Sequence, residues 1–322
     1  TKLLFNQIKK YKPAFAVIGS RDDANILSEL CSKNKIKTKI LSGVDGLVYV
    51  SKHRKTKNLL SAIVGAAALI PTLAAIKSGK KILLANKESL IMSGSLMTKA
   101  AKKSGATIIP VDSEHNAILQ IMTTAGLDFN NLKNAIHNEK VDCITLTASG
   151  GPFLNFTNKQ LSKVTPKQAI KHPKWKMGRK ISVDSATMMN KGLEIIEAAI
   201  LFNLQPNQIN VLIHPQSIVH ALVSFSDGSV ISHMSNHDMR IAISYALSWP
   251  KRYDIGIEKL KNKSFSNLSF ERVKKNQFKC LDLCSKALQL GHNAPTVLNA
   301  ANEVAVEKFL ENKIKFIDIP VI

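Results

Sequence analysis

The sequence predicts an α/β protein: a Rossmann-like parallel-sheet domain, followed by an α+β domain and then a short helical domain. Over the first hundred residues, strand-like apolar runs alternate with helix-like stretches, the order of a parallel sheet covered on both faces. Beyond Ser113 the order changes to a helix, a strand, a long helix and a hairpin, and from Phe278 the pattern is helical. The domains are expected at 1–112, 113–250 and 278–322, with a polar, Lys-rich connector at 251–277.

Strands of the first domain are expected at Ala14–Ile18, Ile36–Leu41, Leu59–Val64, Lys81–Ala85 and Thr107–Val111. Helices are expected between them, at Asp22–Lys33, Pro71–Ser78 and Ser89–Ser104. Thr1–Lys10 reads as the tail of a helix, with no strand and no Gly-rich turn ahead of it. No G-x-G-x-x-G loop occurs in these hundred residues. The sheet is therefore expected to lack its first β-loop-α unit. In the second domain we expect a helix from Ser113 to about Ala125, a strand at Val141–Thr147 and a long helix at Ala186–Phe202. A hairpin pairs Ser217–Phe225 with Ser229–Met234 across Asp227-Gly228, read as a two-residue turn.

The chain has 322 residues and is 45% apolar, the composition of a globular protein with a substantial core. The longest apolar stretch, Ala62 to Ile76, is too short to span a membrane and is broken by Pro71. No signal or transit peptide is visible, so the cytoplasm of a bacterial-type cell is the default compartment. Because the sequence starts at Thr1, a plastid address stays open. Cys31, Cys143, Cys280 and Cys284 form no C-x-x-C pair, and Cys280 and Cys284 read as core thiols on one helical face. The formal charge of +22 raises a nucleic-acid reading. Lysines spread along the whole chain, without RNA-binding aromatics or zinc-finger spacing, argue against it. A basic surface would still attract an anionic, phosphorylated ligand.

Several short constellations carry chemistry. Asp112, Ser113 and Glu114 follow an apolar strand, where ligands of parallel sheets bind. In extended chain their carboxylates would point to one side and suit Mg²⁺ or Mn²⁺. Alone, such a triplet is more often a solvated acidic turn. Ser149-Gly150-Gly151-Pro152 follows the next strand, and its small residues can bring backbone N–H groups to an anion. From this motif alone a plain tight turn is the more common case. In the stretch 172–197, Asp184 or Ser185 can cap the following helix and so make a phosphate site. Asn190 and Glu194 share a helical face with Lys191 beside them, which is also the spacing of an ordinary surface pair. His172 to Gly178 reads as a loop in which Trp175 and Met177 suit a lid, although Trp175 reads equally well as a buried core anchor. His214 and His220 flank the hairpin's start, where a structural role is the commoner one.

Together these residues resemble one family. The stretches AIVGAAALIPTLAAIKSGKKILLANKESL (62–90), PVDSEHNAI (110–118), TASGGPF (147–153), HPKWKMGRKISVDSATMMNKGLEIIEA (172–198), HPQSIVHALV (214–223) and GHNAPTVLNAANEVAV (291–306) are similar, in order, to those of deoxyxylulose phosphate reductoisomerases. The resemblance implies NADPH as cofactor, with Mg²⁺ or Mn²⁺ (Co²⁺ also serving), and a small phosphorylated sugar as substrate. It implies that Asp112, Glu114 and Glu194 hold the metal, and that Ser149, His172, Ser185, Asn190 and Lys191 grip the substrate phosphate. Ser113 and Lys87 would meet the substrate backbone or metal site, Trp175 and Met177 would form the lid, and His220 would line the pocket. Lys87, Glu114 and His220 are the catalytic candidates. Ala85, Asn86, Lys87, Glu88 and the glycines near Gly65 and Gly178 would touch the cofactor. The implied reaction breaks and remakes a carbon–carbon bond to give an aldehyde, which NADPH reduces. A homodimer is implied, and neither nucleic acid nor membrane.

The competing readings are a metal-free NADPH oxidoreductase, a catalytically dead fragment and a basic nucleic-acid-binding protein. Against the family pattern, Ala68 stands where glycine is usual, and the helical domain is expected to be cut short after Ile322. The family's opening G-x-T-G-x-x-G loop, which cradles the cofactor pyrophosphate, and the turn that reads the extra phosphate of NADPH do not occur in these residues. The 322 residues alone are therefore expected to bind NADPH far more weakly than a family member carrying that loop; a fluorescence titration giving equal affinity overturns this.

Overall fold

A computed structural model describes residues 1–127, 140–171, 177–274 and 277–322. The chain forms two compact units: Thr1–Asn86 with Lys99–Ile108, and Lys87–Thr98 with Ile109–Ile322.

The first unit begins with α1 (Lys2–Tyr11), β1 (Phe15–Ile18), α2 (Arg21–Lys33), β2 (Lys39–Ser42), α3 (Gly43–Ser51), β3 (Asn58–Ser61), α4 (Leu69–Lys77) and β4 (Lys81–Leu84). Ile8 on α1 and Leu27 and Cys31 on α2 pack against Ala16 of β1. The Ser20 side chain caps α2, accepting from the Asp23 N–H at 3.1 Å, with Asp22 and Asp23 in the positive first turn. Strand and helix positions follow the sequence reading closely, with two differences. Helix α3 was not expected, because its two glycines disfavour a helix and its valines suit a strand better. Gly46 explains it: a Cβ there would lie 2.8 Å from Val17 Cγ1, so only a glycine lets this helix lie against β1 and β2. The strands also form two sheets rather than one, β1-β2 parallel and β3-β4 parallel, the latter extended beside β4 by β5 (Thr107–Pro110).

Helix α5 (Lys87–Ser104) bends at Ser93 (φ −144°), whose hydroxyl donates back to the Ser89 carbonyl beside Gly94. Such back-bonding at a Ser–Gly pair is a known cause of a bend. Strand β5 (Thr107–Pro110) then leads to α6 (Ser113–Thr124).

In the second unit β6 (Val141–Ala148) is central. It is followed by short helices α7 (Asn158–Leu161) and α8 (Pro166–Ala169), then α9 (Arg179–Ala186), α10 (Met189–Phe202), β7 (Ile209–Ile213), β8 (Val219–Phe225), β9 (Val230–Met234), α11 (Met239–Ser248), β10 (Glu271–Arg272), α12 (Lys279–Leu290) and α13 (Ala294–Leu310). The sheet runs β10-β7-β6-β8-β9, with β6 and β7 parallel across the helical crossover and the other pairs antiparallel. Leu193 and Ile196 of α10, Cys280 and Cys284 of α12, and Val306 and Phe309 of α13 build one core. The two cysteines are core thiols, and burial pushes Cys280 up to about 12.

Three expectations are corrected here. The helix expected at Ala186–Phe202 starts at Met189, and residues 179–186 form a helix of their own. Asp184 and Ser185 therefore lie inside α9 and cap nothing; Met188, in the left-handed region at φ 61°, separates the two helices. The hairpin turn is a three-residue loop, with Phe225 bonded to Ser229 and Gly228 at φ +86°, a type I turn ending in a bulge glycine. Within the polar connector, Glu271–Arg272 pairs with β7.

Helix α10 packs on α12 with Gly192 at the contact, where a Cβ would fall 2.4 Å from Cys284 Sγ and 2.6 Å from its Cβ. Gly192→Ala gains roughly 1 kcal/mol of helix propensity but overpacks a buried site at a cost of about 1–3 kcal/mol or more. The substitution is expected to lower stability in urea unfolding; equal or greater stability contradicts the packing described.

Candidate active site

Strand β5 delivers Asp112 to the N-cap position of α6, so that Ser113 and Glu114 open the helix. The turn is held by Asn116, whose side chain donates to the Pro110 carbonyl at 2.9 Å and whose N–H donates to the Asp112 carbonyl at 2.8 Å. The two carboxylates converge because a strand ends and a helix begins between them, and not, as expected, through extended-chain alternation. Asn190, Lys191 and Glu194 come from the first turns of α10, and Lys87 from the first residue of α5.

These side chains meet. Carboxylate oxygens of Asp112, Glu114 and Glu194 lie within 4.8 Å of one another. Lys87 Nζ pairs with Asp112 at 2.5 Å, lies 3.6 Å from Glu194, and donates to Asn190 Oδ1 at 2.9 Å. Asn190 in turn donates to Glu194 Oε1 at 2.6 Å. Lys191 pairs with Glu114 at 2.8 Å and with Glu194, while the Ser113 hydroxyl donates to Glu114 at 2.7 Å.

Glu194 is 1% exposed. Burial, and then the charge of Glu114, push its carboxyl up to about 7 against the pull of Lys191 and Lys87. At Asp112 burial is again the largest single effect and acts upward, but Lys87, His115 and Lys191 together outweigh it and hold the carboxyl well below the usual range. Glu114 is likewise lowered: burial acts most strongly and upward, but Lys191 and His220 together overcome it. Burial opposes both ammonium groups, yet the carboxylates raise Lys87 well above its ordinary value and raise Lys191 as well. Three hard oxygen donors converging on one point fit a divalent cation of the Mg²⁺ or Mn²⁺ kind.

His220 is nearly buried on β8, 2.9 Å from the Ser235 hydroxyl. Burial lowers its pKa although Glu114 acts to raise it. Ser149 accepts from the Gly151 N–H at 3.1 Å in a loop where Gly150 and Gly151 have φ +82° and +71°. A Cβ on Gly151 would fall 2.8 Å from the Ser185 carbonyl, so the glycine brings this loop onto the end of α9. Met177 is half-buried and Gly178, exposed, precedes α9. His172 and Trp175 lie outside the described residues. Among the expected cofactor contacts, Glu88 pairs with Lys180 at 3.2 Å. Asn86, in the first unit, donates to the carbonyls of Ile63 at 2.6 Å and Gly65 at 3.2 Å.

The sequence reading missed His115 and Glu197. His115 is fully buried, its Nε2 2.9 Å from the Glu194 carbonyl and its Nδ1 3.5 Å from Glu197. Burial pushes Glu197 up to about 7 even though His115 opposes it. The only signal was Glu197 standing one helical turn beyond Glu194, which spacing cannot distinguish from a surface charge.

A parallel-sheet unit joined to an α+β unit with a carboxylate cluster is the architecture of an α/β enzyme, and the cluster has the donor set of a divalent-cation site. Family models sharpen this. Residues 1–94 match 1-deoxy-D-xylulose 5-phosphate reductoisomerase, 108–202 its C-terminal domain, and 234–322 a second model described as the DXP reductoisomerase C-terminal domain. The reductoisomerase of Cellvibrio japonicus is 47% identical over 319 residues, covering 99% of this chain and 80% of that protein. That of Pseudomonas aeruginosa is 49% identical over 313 residues, covering 97% and 78%. A reductoisomerase crystallised with NADPH, fosmidomycin and magnesium superposes with a TM-score of 0.94 at 45% identity, covering 99% of this chain and 78% of that one. The Zymomonas mobilis enzyme with NADPH gives 0.89 at 39%, covering 99% and 79%. The chain belongs to the 1-deoxy-D-xylulose 5-phosphate reductoisomerase family.

With its carboxyl raised to about 7, Glu194 would have to give up a proton to any cation it held below that pH. Mg²⁺ affinity is therefore expected to weaken by up to about tenfold for each pH unit below that point, with proton release on binding. Calorimetry in buffers of different ionisation enthalpy measures it; a pH-independent affinity between 5.5 and 7.5 contradicts the raised Glu194 carboxyl.

Proposed function

We propose that this chain converts 1-deoxy-D-xylulose 5-phosphate to 2-C-methyl-D-erythritol 4-phosphate, using NADPH and a divalent metal ion, in isoprenoid precursor biosynthesis. The observation that carries the reading is the convergence of Asp112, Glu114 and Glu194 beside Lys87, Asn190 and Lys191. The named relatives and the neighbour holding NADPH, fosmidomycin and magnesium support it.

In this reading residues 1–112 serve NADPH, 113–250 hold metal and substrate, 251–277 connect, and 278–322 form a helical domain. Asp112, Glu114 and Glu194 hold the cation. When bound, the cation supplies Lewis acidity and a template for neighbouring substrate oxygens, and NADPH supplies the hydride. Ser149, Ser185, Asn190 and Lys191, with His172, grip the phosphate, and this grip, remote from the reacting carbons, orients them. Lys191 shares Glu114 and Glu194 with the cation site, so cation and phosphate binding are coupled through the same two carboxylates. Lys87, its ammonium raised by Asp112 and Glu194, presents a fixed positive charge and a hydrogen-bond donor where the substrate oxygens lie. His220 lines the pocket. Trp175 and Met177 close over the ligand and exclude water. Asn86, Lys87, Glu88 and Gly178 contact the cofactor.

A homodimer is part of this reading. Strand β9 ends the sheet and exposes Val230, Ile231 and Met234, an edge suited to a second copy. Among the described residues no helix is long and apolar enough to cross a membrane, and we place the protein in the cytoplasm.

Calorimetric titration of fosmidomycin, with and without Mg²⁺, tests the site without requiring the hydride step. Binding is expected to need Mg²⁺ and to weaken about a hundredfold or more in Glu194→Gln. Metal-independent binding, or wild-type affinity in the variant, refutes the reading.

A further inference from the structure

Helix α9 carries a carboxylate that neither cation nor phosphate binding uses. Asp184 is 2% exposed, and burial raises its carboxyl despite Lys180 and Asn302. Its oxygens have different partners. Asn302 Nδ2, from α13, donates to Oδ1 at 2.8 Å, and Lys180, one turn earlier, pairs with Oδ2 at 3.2 Å. Lys180 also reaches Glu88 at 3.2 Å. Asn302 is itself buried, and its Oδ1 has no hydrogen-bond partner among the described residues.

Such a pair is a poor way to gain stability. A buried carboxylate loses its solvation, and the amide facing it is only half satisfied; two apolar side chains of similar shape would hold the helices together as well. What the pair adds is direction. Neighbouring residues on a helix point about 100° apart, so fixing Asp184 towards α13 sets where Ser185 points. On another side of the same helix end, Gly151 at φ +71° packs its backbone against the Ser185 carbonyl, where a Cβ would stand 2.8 Å away. The end of α9 is thus held between Asn302 and the Ser149–Gly151 loop.

We infer that Asn302 is a positioning residue, fixing through Asp184 the placement of Ser185 against the Ser149 loop so that both hydroxyls serve one phosphate subsite. This gives the C-terminal helices, which bring no group to the cation site, a part in substrate recognition. It rests on the proposed assignment of Ser149 and Ser185 to the substrate phosphate.

The test compares fosmidomycin, which carries a phosphonate, with acetohydroxamate, which keeps the metal-chelating group and lacks it, both with Mg²⁺. Asn302→Leu is expected to weaken fosmidomycin about tenfold or more and to leave acetohydroxamate unchanged. The double variant Asp184→Leu/Asn302→Leu removes the unsatisfied carboxylate, so its melting temperature should return towards wild type while its fosmidomycin affinity stays low. Wild-type fosmidomycin affinity in a folded double variant, or equal loss of both ligands in Asn302→Leu, overturns the inference. Failure of the unaltered protein to bind fosmidomycin overturns the phosphate assignment itself, and the inference with it.

Discussion

The burial of Glu194 within reach of two other carboxylates is the constraint around which the second unit is organised. Three negative charges whose oxygens lie within 4.8 Å cannot remain ionised in a low-dielectric interior without counter-charge. Lys87 and Lys191 supply it, and each is shared between two carboxylates. Removing one partner of a buried pair costs about 3–5 kcal/mol, because the charge left behind has no water to turn to. The result is a strong and unevenly shared field. Asp112 and Glu114 are held ionised, whereas Glu194 is left with its carboxyl near neutrality at about 7.

That poise depends on backbone placed far apart in sequence. Asp112 and Glu114 arrive from the end of a strand, Lys87 from the start of α5, and Glu194 from the second turn of α10. Behind them His115 ties the Glu194 carbonyl to α6 and faces Glu197, with its ring stacked on Phe202 at 6.2 Å. This buried layer fixes the helix from which Glu194 projects, as outer partners of metal ligands commonly do. Gly192, two residues earlier on the same helix, allows the close approach of α12 and anchors its far side to the apolar core.

Much of this was legible in the sequence. Strand chemistry at 81–84 and 107–110 and the helical period at 21–33 are local properties, and they survive in the fold. The pairing of Asn190 with Glu194 is a helical spacing, and the structure realises it at 2.6 Å. Helix α3 was hidden because its stability comes from packing over Gly46 rather than from propensity. The division between α9 and α10 was hidden because Met188 adopts a left-handed conformation that no local signal requires of a methionine.

By itself, the sequence determined the alternation of strands and helices, the identity of the oxygen and ammonium groups, and the order of motifs that places the chain in its family. Those depend on side-chain chemistry and short-range periodicity. Only the tertiary structure decided that Lys87, Asp112, Glu114 and Glu194 share one buried site, that His115 and Glu197 stand behind it, and that Asn302 reaches Asp184 across 118 residues. Burial and long-range juxtaposition set those charges, and neither is a property of any local stretch of chain.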